Sequence, residues 1–364
     1  MFIKQIKING FRCYESVDLV FNKQVNIFYG NNGSGKTSVL EAIYWLSTGK
    51  SFRSKKNKVL INHQHSEFIL FSSFSNATDS SVQTLGVGFN KNNSKKTIRL
   101  NQKNISKQSQ IAHTLPVVSI DPDSYLLIDK TPNFRRSFLD WLVFHVKPSY
   151  LNIWTQTNRC HRQLNALYKS KQLNQIPEWQ QQYVHFATQL NSFRVEVFIK
   201  LKLRVETKVK QFIPELEGFE LHYHQGWNKD VDLNQLLIKD QDKNLLYGSL
   251  FSGVHKMDIK CKVNNLSAQD ILSRGQKKII SIVFYLSFIE LLTETTGLDP
   301  IICLDDLDAE LDENKTNLLC EFIKTRNNQV FISTVDINKV TALFDDVAVF
   351  HVKQNKSIEE IPSH

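Results

Sequence analysis

The spacing of hydrophobic residues changes character along this chain. Near the start it alternates, with Ile6 and Ile8 and then Val17, Leu19 and Phe21, closed by a turn signal at Asn22-Lys23, which predicts strands with one buried face. Val25 to Tyr29 reads as a short apolar strand, and after a glycine-rich gap Val39, Leu40, Ile43 and Leu46 recur at helical spacing. More short strands are expected between Phe68 and Ile120, forming an antiparallel layer against that helix. From about residue 131 the period turns helical: Trp179, Tyr183, Phe186, Leu190, Phe193, Val197, Leu201, Val205, Val209 and Phe212 step by three or four. So long a seam calls for a partner helix, which residues 148–171 can supply. Its strictly helical period marks the aromatic stripe as core, not as a base-stacking platform. Pro214 ends the helix, and Phe219 to Tyr223 begin a return to β structure. Ile301 to Leu304 is too short an apolar run for a helix, lies between Gly297-Leu298-Asp299-Pro300 and two carboxylates, and reads as a buried parallel strand. The chain is therefore expected to be α/β, with a parallel sheet carrying Val25 to Tyr29, Ile301 to Leu304 and Val330 to Ile332.

At 364 residues the chain has volume for about two domains with sizeable cores. The five cysteines are scattered without a C-x-x-C pair, which indicates neither a disulfide framework nor a metal knuckle and fits the reducing cytoplasm. The N-terminus has no signal-peptide core, and the apolar stretch from Ile279 to Leu292 is interrupted by Ser281, Ser287 and Glu290, so no membrane span is expected. The formal net charge of +9 is local. Lys50, Arg53, Lys55, Lys56 and Lys58 form one acid-free cluster, and Lys91, Lys95, Lys96, Arg99, Lys103 and Lys107 form another. Such clusters can bind backbone phosphates without reading sequence, so a phosphate-bearing polyanion is the expected partner, with a solvated basic face as the alternative.

Three motifs carry the chemistry. Gly30-Asn31-Asn32-Gly33-Ser34-Gly35-Lys36-Thr37 fits G-x-x-x-x-G-K-[ST], a loop whose backbone N–H groups turn inward around phosphate oxygens ahead of a helix N-terminus. Residues 30–37, with the following Ser38, are the candidate ATP-binding set; Lys36 would reach the outer phosphates and act in catalysis, and Thr37 would hold Mg²⁺. This loop alone leaves kinases, GTPases and many ATPases open. Asp305 emerges at the carboxyl end of its strand, where open α/β sheets place ligand chemistry, and is the second candidate Mg²⁺ ligand. Asp306 is the candidate that orients the attacking water. The third motif is Leu272-Ser273-Arg274-Gly275-Gln276. Ser273 can cap a helix starting at Arg274, which makes Ser273, Arg274, Gly275 and Gln276 a second phosphate-binding surface. One nucleotide does not need two such helix ends from one lobe, so the second is expected from a partner copy, giving an ATP-dependent homodimer.

With these motifs in this order, the chain resembles the RecF family of bacterial recombination mediators, relatives of the head domains of structural-maintenance-of-chromosomes (SMC) ATPases. The resemblance extends to Asn9-Gly10-Phe11-Arg12, Leu40-Glu41-Ala42-Ile43, Gly49-Lys50-Ser51-Phe52-Arg53, the segment from Arg135 to Trp141, Phe144-His145, His255-Lys256-Met257-Asp258 and Glu310-Leu311-Asp312. It implies an ABC-type ATPase head, with mixed and parallel sheets and helices, plus a helical antiparallel-arm lobe. Residues 1–130 would form the P-loop lobe, 131–216 the arm, and 217–364 the β return, signature helix and Walker B part of the head. It further implies that Arg12 contacts nucleotide phosphates and that Glu310 to Asp312 form a D-loop across the dimer. The implied function is cytoplasmic: weak DNA-dependent ATP hydrolysis and sequence-independent binding to duplex DNA beside single-stranded gaps. The protein would serve replication, recombinational repair and the SOS response to DNA damage, with partners such as RecR and single-stranded DNA within reach. Departures from the family pattern bear on the rate of hydrolysis. Ala309 stands where a D-loop Ser is common, Val254 replaces a Pro, Val335 fills the place of a switch His, and no Gln is evident near Pro116 to Asp123.

Two relatives fit less well. Transporter subunits place the signature much nearer the P-loop, and chromosome-maintenance proteins insert hundreds of coiled-coil residues. A different reading keeps the same ATPase head as an ATP-switched protein-interaction clamp that does not touch DNA directly.

Overall fold

Two sheets and the helix between them build the first of two units in the computed structural model, which describes residues 1–75, 81–306, 313–353 and 357–361. One sheet runs Tyr14–Val20, Phe2–Phe11, Glu67–Ser75, Gln83–Asn90, Lys96–Leu100, Lys103–Asn104, antiparallel throughout. The other runs Ile358–Ile361, Val347–Val352, Val25–Tyr29, Val330–Thr334, Ile301–Leu304, Val117–Ile120, parallel except at the Ile358–Ile361 edge. Helix Lys36–Thr48 buries Val39, Leu40, Ala42, Ile43, Trp45 and Leu46, apolar on nearly every side as a helix between two layers must be. The shared core takes Ile6, Ile8, Phe68 and Leu70 from the antiparallel sheet and Phe28, Cys303, Phe331 and Phe350 from the parallel one. Trp45 meets Phe68 edge to face with ring centroids 4.9 Å apart.

One strand belongs elsewhere than expected. Val117–Ile120 leaves the antiparallel layer and pairs in parallel with Ile301–Leu304. All four of its residues are buried, the pattern of a strand covered on both faces; local composition shows the strand but not its neighbour.

The second unit, residues 127–296, is mainly helical. Helix Ile176–Phe212 is 37 residues long, and helix Tyr150–Ser170 folds back against it after a short connection. The buried stripe of the long helix runs Ile176, Gln180, Tyr183, Ala187, Leu190, Arg194, Val197, Leu201, Val205, Val209, Phe212, a helical period in which two polar residues occupy core positions. Arg194 is satisfied by a two-pronged ion pair with Asp140, at 2.7 and 2.8 Å, and by the Val254 carbonyl at 2.9 Å. Burial opposes the charge on Arg194, but Asp140 outweighs it, and the net shift is upward.

Helix Arg274–Thr296 also belongs to this unit. It is long and apolar enough to cross a membrane, yet Ile279 to Ile289 are buried without a break by protein, Phe284, Tyr285 and Phe288 packing on Phe138. Lys208 bonds Glu290 at 2.7 Å and so ties the long helix to it. A three-stranded sheet, Leu266–Ser267, Asp258–Val263 and Phe219–His224, completes the unit. The division of the chain thus groups the β return and the signature helix with the helical arm, and residues 297–364 with residues 1–126.

Candidate nucleotide site

Parallel register brings the chemistry to one edge. Leu304 pairs with Ile120 on one side and with Ile332 on the other, so Asp121, Asp305 and Ser333 follow in a row at the carboxyl ends of three neighbouring strands. The strand Val25–Tyr29, on the far side of Val330–Thr334, delivers the chain into the loop Gly30–Gly35. That loop and the helix after it then face the Asp305 strand, at the position where α/β sheets bind ligands.

Each loop glycine has its own reason. Gly30 has φ 149°, and a Cβ there would lie 2.3 Å from the Val352 carbonyl oxygen, so the loop passes hard against a neighbouring strand. At Gly35, φ 121°, a Cβ would meet the Tyr14 hydroxyl at 2.7 Å and the Cys13 sulfur at 2.9 Å. Tyr14 is buried beneath the loop and donates to the Gly35 carbonyl at 3.1 Å. Gly33, φ 78°, is different: among the described residues nothing lies within 4 Å of its Cβ position. Asn31, Asn32 and Gly33 are exposed, while Ser34, Lys36 and Ser38 are buried. Helix Lys36–Thr48 has no side-chain cap at its N-terminus, which leaves its first N–H groups and the positive end of its dipole toward the loop.

The Lys36 ammonium folds over the loop, donating to the carbonyls of Gly30 at 2.8 Å and Asn31 at 3.2 Å. Among the described residues the buried Ser34 hydroxyl has no hydrogen-bond partner. A buried orphan hydroxyl costs ~1–3 kcal/mol, and a phosphate oxygen held by the loop would satisfy it. Thr37 donates to Asp305 Oδ1 at 2.9 Å, across 268 residues of sequence. Ser333 donates to the same oxygen at 2.7 Å and accepts from the Asp306 N–H at 2.9 Å. Burial pushes the Asp305 carboxyl upward, with Asp306 adding to it, against the hydrogen bonds from Ser333 and Thr37. Hydroxyl and carboxylate oxygens side by side are the donor set a hard divalent cation takes, with phosphate and water supplying the remainder. Thr37 and Asp305 therefore fit Mg²⁺ together with a nucleotide. Among the described residues no group of three or more His, Cys, Asp or Glu side chains could hold a metal.

Asp306 has φ 53°, a left-handed conformation that L-residues adopt at a cost of ~1–2 kcal/mol, least for Asp and Asn. A single hydrogen bond contributes about the same, so the contact of its N–H with Ser333 is large enough to decide the local conformation. Ala309 and the expected D-loop residues Glu310, Leu311 and Asp312 lie outside the described residues.

Arg12, the residue expected to contact nucleotide phosphates, is held by a carboxylate and a carbonyl. Its guanidinium grips the fully buried Glu41 with two hydrogen bonds of 2.7 Å and also reaches the Val59 carbonyl. Ser51 donates to the same carboxylate. One buried Glu thus fastens together Arg12, its own helix and the turn at Ser51. The sequence shows each of these residues but not that they meet.

The signature motif starts its helix through a reciprocal cap. Ser273 Oγ accepts from the Gln276 N–H at 3.2 Å, and Gln276 Oε1 accepts from the Ser273 N–H at 3.0 Å, the capping-box geometry. Ser273, Arg274 and Gly275 are exposed. The structure assigns the signature to residues 127–296 and the loop Gly30–Thr37 to the other unit. His255, Arg135 and Arg136 have structural partners: Arg135 pairs with Asp258 at 2.8 and 2.9 Å, and Arg136 donates to the Met257 carbonyl. His255 stacks on His161. Burial first, and then His161, lowers the His255 pKa to about 3 and keeps the ring neutral.

The two basic clusters meet. The Lys96 ammonium donates to the Gly49 carbonyl at 2.5 Å and lies over the Trp45 ring. Burial, with Lys50 close by, lowers its pKa. The hairpin carrying Lys91, Lys95 and Arg99 is thereby joined to the segment carrying Lys50 and Arg53, and those side chains are exposed.

Residues 2–358 match the RecF/RecN/SMC N terminal domain family. The chain is 35% identical over 357 residues to the DNA replication and repair protein RecF of Coxiella burnetii (strain RSA 493 / Nine Mile phase I), covering 98% of each. It is 33% identical over 357 residues to RecF of Vibrio campbellii (strain ATCC BAA-1116), covering 97% of this chain and 99% of the relative. A solved structure of the recombination mediator protein RecF with ATP in the RecFOR pathway superposes with a TM-score of 0.87 at 25% identity, covering 99% and 98% of the two chains. An Smc head domain from Pyrococcus furiosus, at 15% identity and a TM-score of 0.59 over 99% and 96%, shares the fold.

Proposed function

The chain belongs to the RecF/RecN/SMC N terminal domain family, and from that premise we propose that it is an ATP-dependent DNA-binding protein of replication and recombinational repair. Two copies close around ATP and Mg²⁺, and slow hydrolysis releases them. The observation that carries this reading is the hydrogen bond from Thr37 to Asp305, which joins the phosphate loop to the end of a strand far away in sequence. In the proposed complex the N–H groups from Gly30 to Ser38 cradle the phosphates, Lys36 leaves the loop carbonyls for the outer phosphates, and Thr37 with Asp305 holds the cation. Bound Mg²⁺ supplies charge neutralisation across the outer phosphates. Asp306 orients the attacking water. Ser273, Arg274, Gly275 and Gln276 of the partner copy supply the facing helix end, an exposed N-terminus suited to anions.

The basic face formed by Lys50, Arg53, Lys91, Lys95 and Arg99 supports sequence-independent contact with duplex DNA. Gapped duplex is the proposed target, a mediator such as RecR the proposed partner, and the cytoplasm the proposed compartment. The test is binding of labelled gapped and intact duplexes, with and without ATP, across a salt series. The proposal expects ATP to strengthen binding, gapped DNA to be preferred, and affinity to fall by about 10³ or more between 50 and 200 mM salt if six or more phosphates are contacted. Binding indifferent to both ATP and salt would refute it.

A further inference from the structure

We propose that Ser333 is a positioning residue for ATP hydrolysis: its hydroxyl holds Asp306 in the left-handed turn that directs the Asp306 carboxylate toward the attacking water. The inference rests on the ATPase reading above and adds to it a residue whose hydroxyl bonds the two acidic residues that end the neighbouring strand.

Ser333 is fully buried at the carboxyl end of the strand Val330–Thr334, and the parallel register sets it beside Asp305. Its one hydroxyl uses both of its capacities on consecutive residues, donating to Asp305 Oδ1 at 2.7 Å and accepting from the Asp306 N–H at 2.9 Å. These two contacts have different effects. Asp305 Oδ1 also receives the Thr37 hydroxyl at 2.9 Å, so losing Ser333 leaves that oxygen hydrogen-bonded. Among the hydrogen bonds of the described residues, the Ser333 contact alone ties the Asp306 backbone N–H, at a residue whose φ of 53° is held against its intrinsic preference. Without the contact, the preferred relaxation is to negative φ, which swings the Cβ and carboxylate to another direction. A displacement of about 1 Å at a catalytic group is enough to cost on the order of 100-fold in rate. The phosphate loop and its helix do not depend on this contact, so nucleotide binding is not expected to follow.

The test is Ser333→Ala in the full-length protein, with ATP affinity, turnover and the Mg²⁺ concentration for half-maximal turnover measured side by side. The variant removes one oxygen from a buried site and leaves a void smaller than a methyl group, so it is expected to fold. The proposal expects kcat to fall at least about tenfold while the ATP Kd and the Mg²⁺ requirement stay within about threefold, the signature of an interaction made in the transition state alone. Turnover equal to wild type overturns the proposal. So does an equal loss of Mg²⁺ affinity, because the hydroxyl would then act through Asp305. If the wild-type protein itself binds Mg-ATP but never turns it over, the hydrolysis reading fails and the role of Ser333 fails with it, a result distinct from an active wild type with an equally active variant.

Discussion

Replacing Asp140 with Ala leaves the Arg194 guanidinium inside the helical unit with its countercharge removed. The Arg194 side chain is 3% exposed and that of Asp140 17%, so the pair is not screened as a surface ion pair would be. The Val254 carbonyl satisfies one N–H group but does not balance the charge. Breaking a buried pair from one side costs about 3–5 kcal/mol. For a unit of this size each kcal/mol moves the melting temperature by ~2–4 °C, so the midpoint should fall by roughly 6–20 °C. Tryptophan fluorescence during heating is the natural assay, because Trp141, Trp154, Trp179 and Trp227 all lie in residues 127–296 and Trp45 lies outside them. A paired replacement, Asp140→Leu with Arg194→Met, removes both charges together and should recover most of the loss, since apolar replacements of buried pairs are often neutral or better. A fall of less than about 2 °C for Asp140→Ala would falsify the reasoning, because Arg194 would then have reached solvent at little cost.

Two loop glycines should part company. Gly30→Ala forces the Val352 carbonyl aside and should cost at least about 2 kcal/mol in unfolding by urea, as strained backbone positions do. Gly33→Ala meets no described neighbour, so it should cost about 1 kcal/mol while ATP affinity, measured by calorimetry, drops sharply. Equal destabilisation by the two would contradict this assignment. Burial raises the Asp121 pKa to about 6 from 3.8, against hydrogen bonds from Ser124. A raised folded-state pKa contributes stability that is complete below the unfolded value and lost as pH climbs through the folded one. Asp121→Asn, which can still accept from the Ser124 N–H, should therefore melt above wild type near pH 8, by up to ~3 kcal/mol. That gap should close as pH falls to about 4; a gap independent of pH would show that Asp121 ionises freely.

The parts of this structure legible in sequence are those fixed by local period. Val25–Tyr29 and Ile301–Leu304 are strands with the expected limits, and the helical seam from Trp179 to Phe212 lies within one helix. What the seam hid was its polar members. Hydrophobic reading placed Trp179, Phe186 and Phe193 on the buried line, whereas Gln180, Ala187 and Arg194 occupy it and those aromatics lie at its flank. Arg194 can be buried only because Asp140, on another helix, meets it, and no periodicity reports a partner so distant. Ser333 was invisible for the same reason: its importance comes from parallel register with Asp305, and a strand's neighbours are not written in its own residues. The strands Val347–Val352 and Ile358–Ile361, which extend the parallel sheet beyond Val25–Tyr29, likewise carry no signal that sets their neighbours. The three motifs gave the chemistry of the phosphate loop, but not the clasp of Arg12 by Glu41.

Whether ATP joins two copies of the chain is the question that decides how the protein works. Sedimentation velocity with Mg²⁺ and a saturating non-hydrolysable ATP analogue should convert the 42.2 kDa monomer to a dimer. Ser273→Arg, which places a large cation at the exposed signature cap, should still bind the analogue but remain monomeric. A wild-type protein that binds the analogue to saturation and sediments as a single chain contradicts the account.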